Sequence, residues 1–183
     1  MSSPAQPSIS TKLAITPAKL SLGISSSTIT LTATLHYTEP ITIFKHGTIF
    51  NLALNHSPSN FDCEDITTEN AEPINIGIKK GCKRPAFSRE YGGRDDRFFV
   101  TLYPETPILF EGVFHLAKRS CQHVVFQPRH KYRFATKQGE TVDWWRVGEK
   151  KNAMTSPGEF AVLGEASGSP ISLGMQEVEL EVL

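Results

Sequence analysis

A chain of 183 residues is most simply one domain, long enough to bury a core without disulfide or metal staples. Its 19 Lys and Arg balance 19 Asp and Glu, so no net field draws it toward nucleic acid or an anionic membrane surface. No apolar run approaches membrane-spanning length, and the polar, Pro-bearing start "MSSPAQPSIS" does not read as a secretory signal. Cys63, Cys82 and Cys121 form an odd set with no CxxC pair, which suits reduced thiols in a cytoplasmic protein. "NHS" at 55–57 is formally a glycosylation sequon, with little meaning in that setting.

Residues 1–8 read as a flexible terminus and 9–183 as a single domain. "LAITP" (13–17) opens a series of segments with two-residue alternation. The clearest is "TITLTATLHY" (28–37), where Ile29, Leu31, Ala33, Leu35 and Tyr37 alternate with threonines and His36, the pattern of a half-buried antiparallel strand. "PITIF" (40–44), "INIGI" (74–78), "RFFVTLY" (97–103), "PILFEGVF" (107–114), "HKYRFAT" (130–136) and "QEVELEVL" (176–183) follow. Short alternating strands with no convincing helical stretch predict an all-β, antiparallel sandwich.

Within "FQPRHKYRF", Phe126, Pro128 and Tyr132 have the L-x-P-x-x-x-Y spacing that resembles the tyrosine corner of fibronectin-III-like and immunoglobulin-like domains. Phe126 replaces the usual Leu, and Arg129 stands where Gly is common. The resemblance implies an immunoglobulin-like β-sandwich in which 130–136 is the penultimate strand and 171–183 the last. Arg129, Lys131 and Arg133 would then face Glu177, Glu179 and Glu181. Such a sandwich needs only about 100 residues. The excess falls in long insertions at 45–60, 79–96, 115–128 and especially 137–170, whose first part is expected to be ordered by Trp144 and Trp145 and whose middle is expected to be mobile.

No phosphate-cradling, dinucleotide, nucleophile-elbow or zincin motif occurs, so no cofactor is expected. His115, Cys121 and His123 lack the partners of a tetrahedral set, and the adjacent carboxylates of Asp95 and Asp96 diverge, so no metal is expected either. Serines, histidines and aspartates are numerous, but a triad is a matter of geometry that spacing does not supply. His36 and His46 read as structural histidines rather than bases.

The densest chemistry lies in "KRPAFSREYGGRDDRFFVTLYPETP" (83–107). Arg84, Arg89, Arg94 and Arg97 could converge around Gly92 and Gly93 as forked donors to a carboxylate or polarised carbonyl, or could pair with Glu90, Asp95 and Asp96 as a solvated loop. If the loop is a site, Arg89, Arg94 and Arg97 are the candidate catalytic donors, and Arg84, Tyr91, Phe99, Tyr103, Trp144 and Trp145 the candidate binding residues. Alternation would send one of the two indoles into the core and leave the other for a ligand. The 83–97 and 137–150 segments are expected to meet and close over a pocket.

"PITIFKHGTIFN" (40–51), "GGRDDRFFVTLYPETP" (92–107), the tyrosine-corner segment and "GEASGSPI" (164–171) together resemble small, mostly uncharacterised intracellular proteins of filamentous fungi. That resemblance brings no established activity. Two functions fit the residues. One is a cofactor-free cyclase of fungal natural-product biosynthesis, a pericyclase of the Diels–Alder type similar to small norbornene-forming cyclases, working by positioning and a donor on the activating carbonyl. The other is a non-catalytic ligand- or protein-binding module. In either case the expected partner is an apolar small molecule with a carbonyl or carboxylate group, with neither nucleic acid nor membrane involved.

Overall fold

Alternation of Ile and Leu with Ser and Thr dictates the first sheet. The computed structural model describes residues 6–21, 26–52, 60–74, 86–115 and 126–183. In it β1 (Ser8–Thr16) and β3 (Ser26–His36) pair antiparallel along their length, and β8 (Ile108–His115) pairs with the other edge of β3. Ile9, Leu13 and Ile15 point inward with Ile29, Leu31, Ala33 and Leu35, joined by Thr11 and Ser27, while Ser8, Ser10, Lys12, Thr28, Thr30, Thr32 and Thr34 take the outer face. Ser8 thus begins a strand rather than ending a flexible terminus, and Gln6 donates its side-chain amide to the Pro170 carbonyl.

A second sheet faces the first across one core. Its order is β2 (Lys19–Leu20), β13 (Glu177–Val182), β9 (Lys131–Thr136), β5 (Phe61–Asp65) and β6 (Glu72–Ile74), with β2 joining parallel and the others antiparallel. Phe61, Cys63, Tyr132, Phe134, Leu180 and Val182 fill the core from this side. The protein is therefore an antiparallel all-β sandwich. β5 was not anticipated because three of its five residues, Asp62, Glu64 and Asp65, are acidic and depress strand propensity; Phe61 and Cys63 alone carry its inward face. The thiol of Cys63 is pushed up to about 12 by burial and by Asp65 and Glu64. Of the strand expected at 74–78, Ile74 closes β6 and the remainder lies outside the described residues. No helix among the described residues is long and apolar enough to cross a membrane.

The tyrosine corner is present. Tyr132 is fully buried, its hydroxyl accepts the Gln127 N–H at 2.7 Å, and Phe126 meets the ring edge-on at 4.8 Å. Arg129 adopts φ +66°, the left-handed conformation for which glycine is preferred, and its N–H donates to the Val182 carbonyl. Tyr132→Phe is expected to cost about 1–2 kcal/mol by stranding that amide. Chemical denaturation measures it, and an unchanged midpoint would show that the bond contributes nothing.

β9 and β13 do pair, and Glu179 lies opposite Arg133 and Glu181 opposite Lys131. The ion pairs run differently from the expected ladder. Arg133 reaches Glu64 at 3.4 Å and Glu177 at 3.8 Å, and Glu181 pairs with Lys19 of β2 at 3.0 Å. Glu64 lies directly opposite Arg133 across β5, and Lys19 directly opposite Glu181 across β2, so the outer neighbours take those charges, while Glu177 meets Arg133 on the diagonal.

A third set of strands, β4 (Ile41–Phe44) with β7 (Phe99–Leu102) on one side and β11 (Trp145–Val147) on the other, carries the long insertions. All four residues of β4 are buried. Ile41 and Ile43 enter the main core, whereas Phe44 joins a second cluster with Phe98, Phe99, Trp144 and Met154. The 137–170 segment also holds β10 (Thr141–Val142) paired with β12 (Ile171–Ser172), and one helical turn, α1 (Lys150–Ala153).

Candidate functional site

Asp95 organises the arginine-rich loop. It is fully buried, accepts the Ser88 N–H at 3.0 Å, and is met by Arg94 Nε and an Arg94 terminal nitrogen at 3.3 and 3.2 Å. Asp96 turns the other way, accepting the Gly92 N–H at 2.9 Å and pairing with Lys150 at 2.5 Å. Gly92 takes φ +70°, which lets the turn close. Isolated bridges Ser88–Val162 and Glu90–Thr155 then stitch the loop to the far part of the 137–170 segment, and Glu90 also accepts the Gly158 N–H at 2.6 Å. The middle of that segment is thereby tied into the fold. The two insertions meet, as expected, but apart from Lys150 the bonds fall on 155–162 rather than 137–150.

This arrangement disperses the arginines. Arg89 donates through Nε to the Val162 carbonyl at 3.1 Å, Arg94 is held by Asp95, and the Arg97 guanidinium lies over the Phe98 ring, 5.0 Å from its centroid. Arg84 lies outside the described residues, as do Cys121 and His123. Tyr91 and Tyr103 are exposed, and Phe99 is buried in the second cluster.

The expectation of one spare indole is corrected, for both tryptophans are buried. Successive residues at the start of β11 face opposite ways, and here each way is covered. Trp145 enters the main core and donates to the Ser169 carbonyl at 3.0 Å. Trp144 enters the second cluster, meets Phe99 edge-on at 5.4 Å, and donates to the carbonyls of Leu163 and Gly164 at 3.0 and 3.2 Å. A Cβ on Gly168 would stand 2.8 Å from the Trp145 ring, which accounts for the small-residue run "ASGS" that passes over it.

Beside Trp144 opens a cleft of about 420 Å³ that the arginines do not line. Phe44, His46 and Trp144 form its aromatic side, and Asn60, Glu140 and Asp143 its polar side. Two glycine turns, with Gly47 and Gly139 both at φ +81°, bring these residues together. Asn60 clamps the turns, donating to the Gly47 carbonyl at 2.9 Å and to Glu140 Oε2 at 3.0 Å. Burial pushes the Glu140 carboxyl up, aided by Asp143, while the Asn60 bond and Lys137 oppose the shift. The His46 ring stacks on Phe44 at 5.9 Å and meets Phe87 at a tilt, 4.4 Å between centroids, and Thr141 donates to Asp143 at 2.7 Å. Such a site can pack an apolar body against rings and attract a donor or positive charge with carboxylates. Sequence reasoning passed over Phe44, Asn60, Glu140 and Asp143 because each stands alone in the chain; only the paired "KHG" and "KQGE" turns hinted at them.

No family model and no curated protein sequence matches the chain. Over 92% of its length the chain is similar to a solved structure titled Pseudomonas fluorescens alkylpurine DNA glycosylase AlkC bound to DNA containing an abasic site analog, at 12% identity and a TM-score of 0.32. The match spans 30% of that protein's chain.

Proposed function

We propose that the protein is a ligand-binding β-sandwich module that holds a small molecule with an apolar body and a cationic or hydrogen-bond-donating head in the Phe44–Trp144 cleft. The observation that carries this reading is the facing of aromatic rings by Glu140 and Asp143 in one cavity. A carboxylate-headed ligand would meet like charge there. The cofactor-free cyclase reading, with an arginine donor on a carbonyl, would need Arg89, Arg94 or Arg97 in the cavity, and their side chains make their contacts elsewhere.

Phenethylamine and its carboxylate counterpart phenylpropionate separate these readings when titrated against tryptophan fluorescence. The amine is expected to quench and the acid not, and Glu140→Gln should weaken the amine by about tenfold, on the order of one cation–π or charge contact. Because the Glu140 carboxyl titrates above its usual range and attracts a cation only when ionised, amine affinity should rise with pH through that elevated range. Tighter binding of the acid, or indifference to Glu140→Gln, would refute the reading. Ring closure of a diene–dienophile substrate, lost on Trp144→Phe, would favour the cyclase instead.

A further inference from the structure

Across the β1–β3 sheet from Ile9 and Leu35, the outer face of these strands carries a second arrangement. The register sets Ser8 opposite His36 and Ser10 opposite Thr34, so Ser10 and His36 are diagonal neighbours on one face, within reach of a long side chain. The turn after β7 adds a third group. Glu105 donates its N–H to the Leu35 carbonyl at 2.9 Å and Pro104 bridges Leu35, which docks the turn on the end of β3. Glu105 adopts φ +50°, a conformation that a non-glycine residue keeps only where its surroundings hold it there.

The three side chains form a relay. Ser10 Oγ lies 2.8 Å from His36 Nε2, and His36 Nδ1 lies 2.9 and 3.0 Å from the two oxygens of Glu105. A carboxylate can only accept, so Nδ1 carries the proton of the neutral ring. Nε2 is then the lone pair, and the Ser10 hydroxyl donates to it. Those are the distances and roles by which a serine nucleophile, a histidine base and an acidic orienter are recognised, whatever their order in the chain. The His36 and Glu105 side chains are 44% and 67% exposed, so the serine is reachable from solvent.

We propose that Ser10, His36 and Glu105 form an acyl-transfer site for small carboxylic esters with good leaving groups. Ser10 Oγ attacks the ester carbonyl carbon while its proton passes to His36 Nε2. The tetrahedral adduct collapses, the C–O bond to the alcohol breaks, and the alcohol leaves with the proton from Nε2. Water then attacks the acyl-Ser10 carbonyl, giving its proton to Nε2, and collapse returns that proton to Ser10 and releases the carboxylic acid. Ester and water become acid and alcohol. Glu105 acts through His36 as a positioning residue. Lys12 follows Ser10 by two residues on the same exposed face. The face is open, so the site should take short acyl groups with little selectivity. None of these residues lines the Phe44–Trp144 cleft.

The test is acylation of the intact protein by p-nitrophenyl acetate, with acid quenching and peptide mapping by mass, and in parallel labelling by an alkyl fluorophosphonate. A burst of nitrophenolate is expected with the acetyl and phosphonyl groups on Ser10. Ser10→Ala should remove the label and lower the burst rate by about 100-fold or more, as should His36→Ala. Glu105→Gln should lower the maximal acylation rate without changing the half-saturating ester concentration, and Glu105→Asp should restore part of it. Label spread over lysines and other histidines with Ser10 unmodified would overturn the proposal, and that readout on the unaltered protein does not depend on any variant folding.

Discussion

Trp144→Ala is expected to lower stability by about 3–5 kcal/mol, the range for deleting a large buried aromatic side chain. The indole is 6% exposed and sits among Phe44, Phe98, Phe99 and Met154, with the Arg146 guanidinium 5.7 Å from its ring. Removing it leaves a hole whose walls come from β4, β7 and the 155–166 segment, three parts of the chain that cannot collapse together without breaking strand pairing. It also strands the carbonyls of Leu163 and Gly164. Trp144→Phe keeps most of the packing and loses only the N–H, at about 1 kcal/mol. Denaturant midpoints of the two variants measure the difference, and similar values would show that the second cluster contributes little. Both variants should weaken amine binding, because the ring also walls the cleft.

Asp95→Ala should cost about 2–4 kcal/mol, combining a stranded, buried Ser88 N–H with the loss of two charge-assisted bonds. Arg94→Ala takes a cation from the buried Asp95 carboxylate but leaves its bond from the Ser88 N–H in place, so it should cost less, about 1–2 kcal/mol. That asymmetry is the informative part. The aspartate holds the loop together from inside, whereas the arginine covers it. Equal losses from the two substitutions, read by thermal unfolding, would mean that the charge pair rather than the backbone contact carries the loop.

Main strands and the tyrosine corner were legible because they follow from local chemistry. Ile29 to Leu35 alternate with threonine over a run too long to misread, and Phe126, Pro128 and Tyr132 fix a corner by spacing alone. β5 and β11 were not, since Asp62 and Glu64 mask one, and the other is three residues long with only Trp145 buried, too short to show a period. The arginine loop drew attention because its residues are consecutive. Consecutive charges satisfy one another and the nearby carbonyls, as Arg94 and Arg89 do. The cleft and the Ser10–His36–Glu105 relay were invisible for the opposite reason. Asn60 and Glu140 are 80 positions apart, and His36 and Glu105 are 69 apart, so only strand register and turn docking bring them together.

β4 has a consequence for how such a protein can diverge. Ile43 and Phe44 are chain neighbours, yet one belongs to the main core and the other to the loop-end cluster. The strand is a partition. Substitutions at Phe98, Phe99, Trp144 or Met154 repack one compartment, while the register of β4 with β7 and β11 keeps Ile41 and Ile43 seated in the other. Insertions and altered ligand preference can therefore accumulate at one end of the molecule while the packing that specifies the fold stays under separate selection.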